Sequence, residues 1–125
     1  MQSAWNDQEA EACGNDLLAQ RVYTSRLLGR EPSLVLHGGG NTSVKATLRN
    51  ILGDEESILY IKGSGWDLAT IDAAGFAPTH LTTLQRLAAL PALSDSDMMR
   101  ELKAACTNSA APTPSVEAIL HAIIP

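Results

Sequence analysis

Two glycine-rich segments, each directly after a short apolar run, constrain the fold of this 125-residue chain most strongly. The first is Gly38–Gly40, which follows Ser33–His37 and precedes the alternating, β-rich run Asn41–Leu48. The second is Gly63–Gly65, which follows the apolar run Ile58–Lys62. Short apolar or alternating runs bounded by glycine are typical of β-strands joined by tight turns. The pattern therefore predicts strands over 33–37, 41–48 and 58–62.

Four helices are predicted around these strands. Capping residues, stop signals and apolar stripes with a period near 3.6 residues indicate them. They cover Asp16–Leu28, Leu81–Leu90, a stretch from the N-cap Ser94 to Cys106, and a last helix that begins near Pro114. Asn15 or Asp16 is predicted to cap the first of them. The predicted apolar stripe of the last helix consists of Val116, Ile119, Leu120 and Ile123. Residues 1–14 are predicted to be a frayed or partly helical lead-in, so that one domain spans 15–125.

Charge and hydropathy argue against two classes of partner. The chain has 9 Lys+Arg against 14 Asp+Glu, a net charge of −5, so it lacks the basic face that binds nucleic acid. No apolar run approaches the roughly 18–20 residues that a membrane span needs, and residues 1–14 lack the apolar core of a signal peptide. The two cysteines, Cys13 and Cys106, are expected to be free thiols. We therefore expect a cytoplasmic protein with neither a membrane nor a nucleic acid as partner.

The first glycine-rich segment is a candidate anion site. Glycine lets the backbone approach a ligand closely, and the Asn41 and Thr42 side chains that follow can donate hydrogen bonds. The alternative is a hairpin turn in which Asn41 adopts a left-handed conformation. Three known patterns fail here. The dinucleotide fingerprint lacks its third glycine, the Walker A pattern lacks its lysine, and an esterase-type loop starting at His37 lacks a nucleophile elbow.

Two further segments have similar chemistry. The hydroxyl of Ser64, within Gly63–Gly65, could bind an anion, or the segment could be a simple strand-to-helix turn. Ser115 lies at the predicted start of the last helix, where free N–H groups and the helix dipole favour anions. Glu117 and His121 are four residues apart and therefore neighbours on that helix. The alternatives are a glutamate that stabilises the helix dipole and a partly packed surface histidine.

The histidines give no metal-binding pattern. His37, His80 and His121 are the three histidines of the chain, and no two of them have the close spacing of paired metal ligands. From the residues alone, no metal site is predicted in this chain.

Taken in order, the three segments resemble the class II aldolase/adducin family. The matching stretches are LVLHGGGNTSVK at 34–45, LYIKGSGWDLATI at 59–71 and PTPSVEAILHAIIP at 112–125. The likeness runs from about Trp5 to Pro125. Within the family, the chain most resembles the N-terminal aldolase part of long bifunctional rhamnulose-1-phosphate aldolase/short-chain dehydrogenase proteins. The resemblance implies a three-layer α/β/α fold around a mainly antiparallel sheet, assembled as a homo-oligomer.

The resemblance also implies the site residues. The phosphate-binding loop corresponds to Gly40, Asn41, Thr42 and Ser43, and further phosphate contacts correspond to Ser64, Gly65 and Ser115. The catalytic acid/base carboxylate falls on Glu117. The implied reaction is retro-aldol cleavage of a sugar phosphate of the rhamnulose 1-phosphate type, in which zinc polarises the ketone and the carboxylate shuttles protons.

The zinc-binding histidines of the family follow this last helix, and the present chain contains none of them. We therefore expect zinc in a longer parent protein, no cofactor in this chain, and a chain that is the N-terminal portion of that parent. Two functions follow. The first is a lyase of carbohydrate metabolism in which this chain is one part. The second is a non-catalytic, adducin-like binding or oligomerisation module. In both cases a sugar phosphate or other anion is expected at the glycine-rich loops.

Overall fold

The structure is a computed structural model that describes residues 2–36 and 38–125. Among these residues the helices are α1 (Asp7–Ala12), α2 (Leu17–Gly29), α3 (Leu81–Ala88), α4 (Asp95–Ala105) and α5 (Glu117–Ile123). The strands are β1 (Ser43–Arg49), β2 (Glu55–Lys62) and β3 (Phe76–His80), and a short 3₁₀ helix (Ala73–Gly75) precedes β3. No helix in the described part of the chain is both long and apolar enough to cross a membrane.

The three strands form one antiparallel sheet in the order β1-β2-β3. Ser43 lies opposite Ile61, and Lys62 lies opposite Phe76. The start of β1, the end of β2 and the start of β3 therefore meet at one end of the sheet. Both glycine-rich segments adjoin this end, because one of them enters β1 and the other leaves β2.

The sheet is covered by helices on both faces. One face presents Leu59, Ile61 and Ala77 to a core that α3, α4 and α5 complete. The helices contribute Leu84, Leu102, Ala105, Ala118 and Ala122, each of them buried. On the other face α2 packs against β1. The predicted three-layer α/β/α arrangement around an antiparallel sheet is thus confirmed.

Helix caps predicted from the sequence are present. The Asp16 carboxylate accepts a hydrogen bond from Ala19 N at 3.1 Å and starts α2. Ser94 Oγ accepts one from Asp97 N at 3.2 Å and starts α4. Each side chain satisfies one of the free N–H groups at a helix start, which explains why the predicted bounds of these helices agree closely with the structure.

The predicted strand over 33–37 is wrong for residues 33–36, and His37 lies outside the described residues. The N–H groups of Leu34 and Val35 both donate to Glu31 O, at 3.0 and 3.1 Å. These bonds close a turn after α2, so the backbone groups are used locally rather than in a sheet. Strand β3 was not predicted, because Pro78 interrupts the apolar pattern of a strand. In the structure β3 lies at an edge of the three-stranded sheet, where a residue without an N–H group is tolerated.

Helix α5 begins at Glu117 rather than near Pro114, and its buried face differs from the prediction. Ala118 and Ala122 are buried, whereas Leu120 and Ile123 are 58% and 56% exposed. Small side chains at positions four apart let α5 approach α3 closely, and the larger apolar side chains then point outward. The stripe predicted from apolar periodicity is therefore largely the exposed side of the helix.

Candidate functional site

Three loop segments meet at the end of the sheet where β1 starts. The N–H of Lys62 donates to Thr42 O at 3.1 Å and joins the first segment to the second. Ser64 N donates to Thr113 O at 3.2 Å, and Gly63 forms a β-bridge with Pro114, so the second segment is joined to the third. Backbone hydrogen bonds thus place the predicted anion-binding segments side by side.

Glycine is required at two points of this junction. A β carbon on Gly63 would lie 2.3 Å from Pro112 Cγ, so only glycine lets the proline-rich segment cross the end of β2. Gly40 has a φ of +83°, and a β carbon there would lie 2.6 Å from Leu68 Cδ1. The two glycines therefore permit both the close approach of the segments and the left-handed backbone that leads into β1.

Two buried polar atoms at the junction have no hydrogen-bond partner among the described residues. They are Asn41 Oδ1, in the first segment, and Ser115 Oγ, in the third. Buried polar atoms in folded proteins are almost always paired, because an unpaired one loses its hydration without compensation. Half a turn of the Asn41 amide would put its NH₂ group in the same place, so both side chains are able to donate to an anion.

The Thr42 side chain is turned away from these two groups. Its hydroxyl lies 2.8 Å from Ser25 Oγ on α2, and both residues are buried. Ser25 Oγ also lies 2.5 Å from Arg21 O, so the pair ties the first loop to α2. The Thr42 hydroxyl is therefore engaged within the protein and is not a free donor for a ligand.

Ser43 is also engaged within the protein. Its hydroxyl lies 2.7 Å from Nδ1 of His121 on α5. Burial lowers the pKa of His121, against a raising effect of the Glu117 carboxylate and with a further lowering effect of the Lys45 ammonium. The ring is therefore neutral at pH 7. Ser43, His121 and Lys45 line a cavity of about 440 Å³ together with Arg21, Val44, Ile124 and Pro125.

Ser64, Gly65 and Glu117 lie at the surface of the junction. The N–H of Ser64 is used by Thr113 O, which leaves its exposed hydroxyl for a ligand. Gly65 has a φ of +88°, and its N–H donates to no acceptor in the described residues. Glu117 is the exposed first residue of α5, and it forms no ion pair in the part of the chain that the structure describes. Its carboxylate is open to solvent.

Lys62 and Ser25 were not predicted as site residues. Lys62 is the last residue of β2, is only 8% exposed, and forms no ion pair with any described residue. A lysine inside a buried strand is rare, so this position could have been noticed from the sequence. Ser25 gave no such signal, since a single serine in a helix is common and its bond to Thr42 depends on the tertiary fold.

The described residues do not fit a zinc site. Within 2–36 and 38–125, no three His, Cys, Asp or Glu side chains lie close enough together to hold a metal ion. His121 is bonded to Ser43, and His80 lies 3.8 Å from Glu56 at the opposite end of the sheet. No step of the chemistry is therefore assigned to zinc on this chain.

Comparison with known proteins identifies the family. The model of the class II aldolase and adducin N-terminal domain matches residues 19–124. The chain belongs to this family. All three segments of the junction lie within the matched range.

Two similar proteins extend this finding. The N-terminal class II aldolase domain of a conserved protein from Thermoplasma acidophilum superimposes with a TM-score of 0.87 at 40% identity. That comparison covers 100% of the present chain and 56% of the other chain. An uncharacterized oxidoreductase, YuxG of Bacillus subtilis (strain 168), is 38% identical over 104 residues. The aligned part is 83% of the present chain but 15% of YuxG, so the chain spans a small part of that relative.

Proposed function

We propose that this chain carries the phosphate-binding and proton-transfer part of a class II aldolase site, and that its substrate is a sugar phosphate. One observation carries the proposal: Asn41 Oδ1 in the first segment and Ser115 Oγ in the third are buried and have no hydrogen-bond partner among the described residues, and backbone bonds join both segments to the second. Leaving such a group unpaired costs about 1–3 kcal/mol. A phosphate that accepted hydrogen bonds from both side chains would remove that cost.

Further groups at the junction suit the same ligand. The N–H groups of Gly40, Asn41 and Gly65 donate to no acceptor in residues 2–36 and 38–125. Successive free N–H groups next to a glycine of positive φ make a concave site for anions. Lys62 is joined to the first segment through its N–H and directly precedes the second, so it brings a lysine next to both. A charged donor there would strengthen the attraction, since hydrogen bonds to charged groups are stronger than neutral ones.

Glu117 is the group proposed to move the proton. In a retro-aldol cleavage a base takes the proton of the hydroxyl next to the carbon–carbon bond that breaks, and the bonding electrons pass into the enediolate. Glu117 offers a carboxylate at the exposed start of α5, and a positioned carboxylate is a common general base.

Binding of dihydroxyacetone phosphate tests the proposal, because retro-aldol cleavage of a ketose 1-phosphate releases this fragment. Titration calorimetry or NMR of the chain should show saturable binding of dihydroxyacetone phosphate and none of dihydroxyacetone at the same concentrations. Equal binding of both compounds, or binding of neither, would contradict a site built for the phosphate.

A second function, an interaction module that forms homo-oligomers, is favoured by the exposed apolar side of α5. Leu120, Ile123 and Ile124 are each more than half exposed, and apolar patches beyond a few hundred Å² commonly mark interfaces. Light scattering should show self-association that Leu120→Gln with Ile123→Gln abolishes. A monomeric wild-type chain would rule out this role. Ser115→Ala provides the control, since it should leave self-association unchanged.

A further inference from the structure

One hydrogen bond joins the first loop to the helix that carries Glu117. Ser43 directly follows Asn41 and Thr42, and its hydroxyl lies 2.7 Å from His121 Nδ1 across 78 residues of sequence. His121 is four residues after Glu117, so both side chains project from neighbouring positions on α5. The bond therefore sets where the Asn41 end of the loop lies relative to the carboxylate.

His121, the partner of Ser43 in this bond, is held in place by the packing of α5. Ala118 and Ala122, on either side of His121 in the sequence, are buried in the core. Gln85 Nε2 of α3 donates to Ala122 O at 3.3 Å, and Lys45 Nζ donates to Ile124 O just beyond the helix. These contacts hold α5 against α3 and β1. They therefore fix the position of the helix that carries His121, to which Ser43 is bonded.

The loop that leads to Ser43 has few other attachments to the rest of the protein. Gly38 and Gly40 both have positive φ, and glycine loses more conformational freedom on ordering than any other residue. Besides the Ser43 side-chain bond, the observed attachments near its exit are the pairing of Ser43 with Ile61 at the start of β1, Thr42 Oγ1 to Ser25, and Thr42 O to Lys62 N. These attachments hold the exit of the loop against α2 and β2, and none of them connects it to α5.

We propose that His121 is a positioning residue of the anion site: through Ser43 it holds the Gly40–Ser43 loop in its ligand-binding conformation against the helix of Glu117. This inference rests on the proposed function, since it requires that the loop binds phosphate. A loop that is ordered before the ligand arrives binds it more tightly, because the entropy of ordering is not lost on binding. His121 has no contact with the ligand in this arrangement.

Inorganic phosphate is the probe for the test, with the 125-residue chain as the protein. The dissociation constant is measured by NMR for wild type, Ser43→Ala, His121→Gln and His121→Asn. An Asn side chain places a polar atom where His has Nδ1, whereas Gln places its polar atoms near Nε2. Ser43→Ala and His121→Gln should each weaken phosphate binding about threefold to tenfold, the range expected for one hydrogen bond. His121→Asn should restore most of the affinity.

A double variant and a stability measurement complete the design. Ser43→Ala with His121→Gln should weaken binding no more than either single change, because both remove the same bond. Unchanged affinity in Ser43→Ala and His121→Gln, or equal affinity of His121→Asn and His121→Gln, would overturn the inference and leave the proposed function standing. If the His121 variants failed to fold, Ser43→Ala alone would decide. A wild-type chain that does not bind phosphate would overturn both proposals.

Discussion

Gly63 and Pro112 are packed so closely that a β carbon on Gly63 would lie 2.3 Å from Pro112 Cγ. Gly63→Ala must therefore push the proline-rich segment away from the end of β2. We expect the free energy of unfolding to fall by about 1–3 kcal/mol, the usual cost of overpacking. Phosphate affinity should fall as well, since the shift moves Ser115 away from the other two segments. Chemical denaturation and phosphate titration measure the two effects.

Gly53→Ala is the matched control for this change. Gly53 has a φ of +87° with open space around its Cα, in the turn between β1 and β2. Alanine there costs about 1 kcal/mol through backbone strain, without contact to the junction. The phosphate affinity of the Gly53→Ala variant should equal that of wild type. A weakened affinity in Gly53→Ala would show that general loss of stability explains the Gly63→Ala result.

Two serines with buried hydroxyl groups, Ser115 and Ser25, should respond to alanine in opposite ways. Ser115 Oγ is unpaired, so Ser115→Ala should leave the ligand-free chain as stable as wild type or more stable. Ser25 Oγ is paired with Thr42, so Ser25→Ala should destabilise the fold by about 1–2 kcal/mol. Thermal unfolding without ligand measures both changes.

Phosphate should reverse any gain in stability that Ser115→Ala brings to the ligand-free chain. The substitution removes a donor to a charged ligand, which weakens binding by about 1.5–3 kcal/mol. Phosphate should consequently stabilise wild type more than Ser115→Ala. A marked loss of stability in the ligand-free Ser115→Ala chain would contradict an unpaired hydroxyl.

His121 makes stability depend on pH. Its pKa in the folded chain is lowered, first by burial, so the unfolded chain binds the proton more readily. The free energy of unfolding should therefore fall as the pH drops below about 6.5, and the loss should continue through the lower pKa of the folded state. The charged groups around the ring are Glu117 on the same helix, Lys45 on β1 and Arg21 on α2.

Comparison with His121→Asn isolates this contribution. Denaturation at about pH 7.5 and about pH 5.5, on either side of the ordinary histidine pKa, should show a smaller difference in the variant than in wild type. Equal differences in the two proteins would assign the pH dependence to other groups. His80→Asn serves as a control at the opposite end of the sheet.

Glu117→Gln should separate binding from proton transfer. Glutamine keeps the size of the side chain but cannot accept the proton, and loss of a positioned acid/base costs about 10²–10⁴-fold in rate. In a longer protein that contains this domain and cleaves the sugar phosphate, kcat should fall by this amount. Phosphate affinity of the present chain should be unchanged or slightly higher, because a negative charge is removed. A variant with nearly full cleavage activity would reduce Glu117 to a residue that stabilises the helix start.

Much of the fold followed from local signals in the sequence. The caps at Asp16 and Ser94 and the alternating run of β1 each depend on a few neighbouring residues, and these predictions are confirmed. The strand at 33–36 and the buried face of α5 were wrong for a shared reason. In both cases large apolar side chains suggested burial, whereas a local turn at Glu31 and the small alanines of α5 determined the packing.

The site was predictable in part. The three segments were found from glycines, a buried strand and a helix start, and the structure brings them together. The bonds of Ser25 to Thr42 and of His121 to Ser43 could not be found in this way, because they join residues 17 and 78 positions apart. Such bonds leave no pattern in a single sequence. The roles of Asn41, Ser64, Ser115 and Glu117 stay predictions.

The central claim is that the three segments form one anion site, and an NMR titration of the chain with inorganic phosphate tests it most directly. The backbone amide signals of Asn41, Gly65 and Ser115 should shift together and saturate with a single dissociation constant. Signals of Gly53, at the opposite end of the sheet, should not move. Three different dissociation constants, or no saturable shift at these residues, would contradict the claim that they bind one ligand.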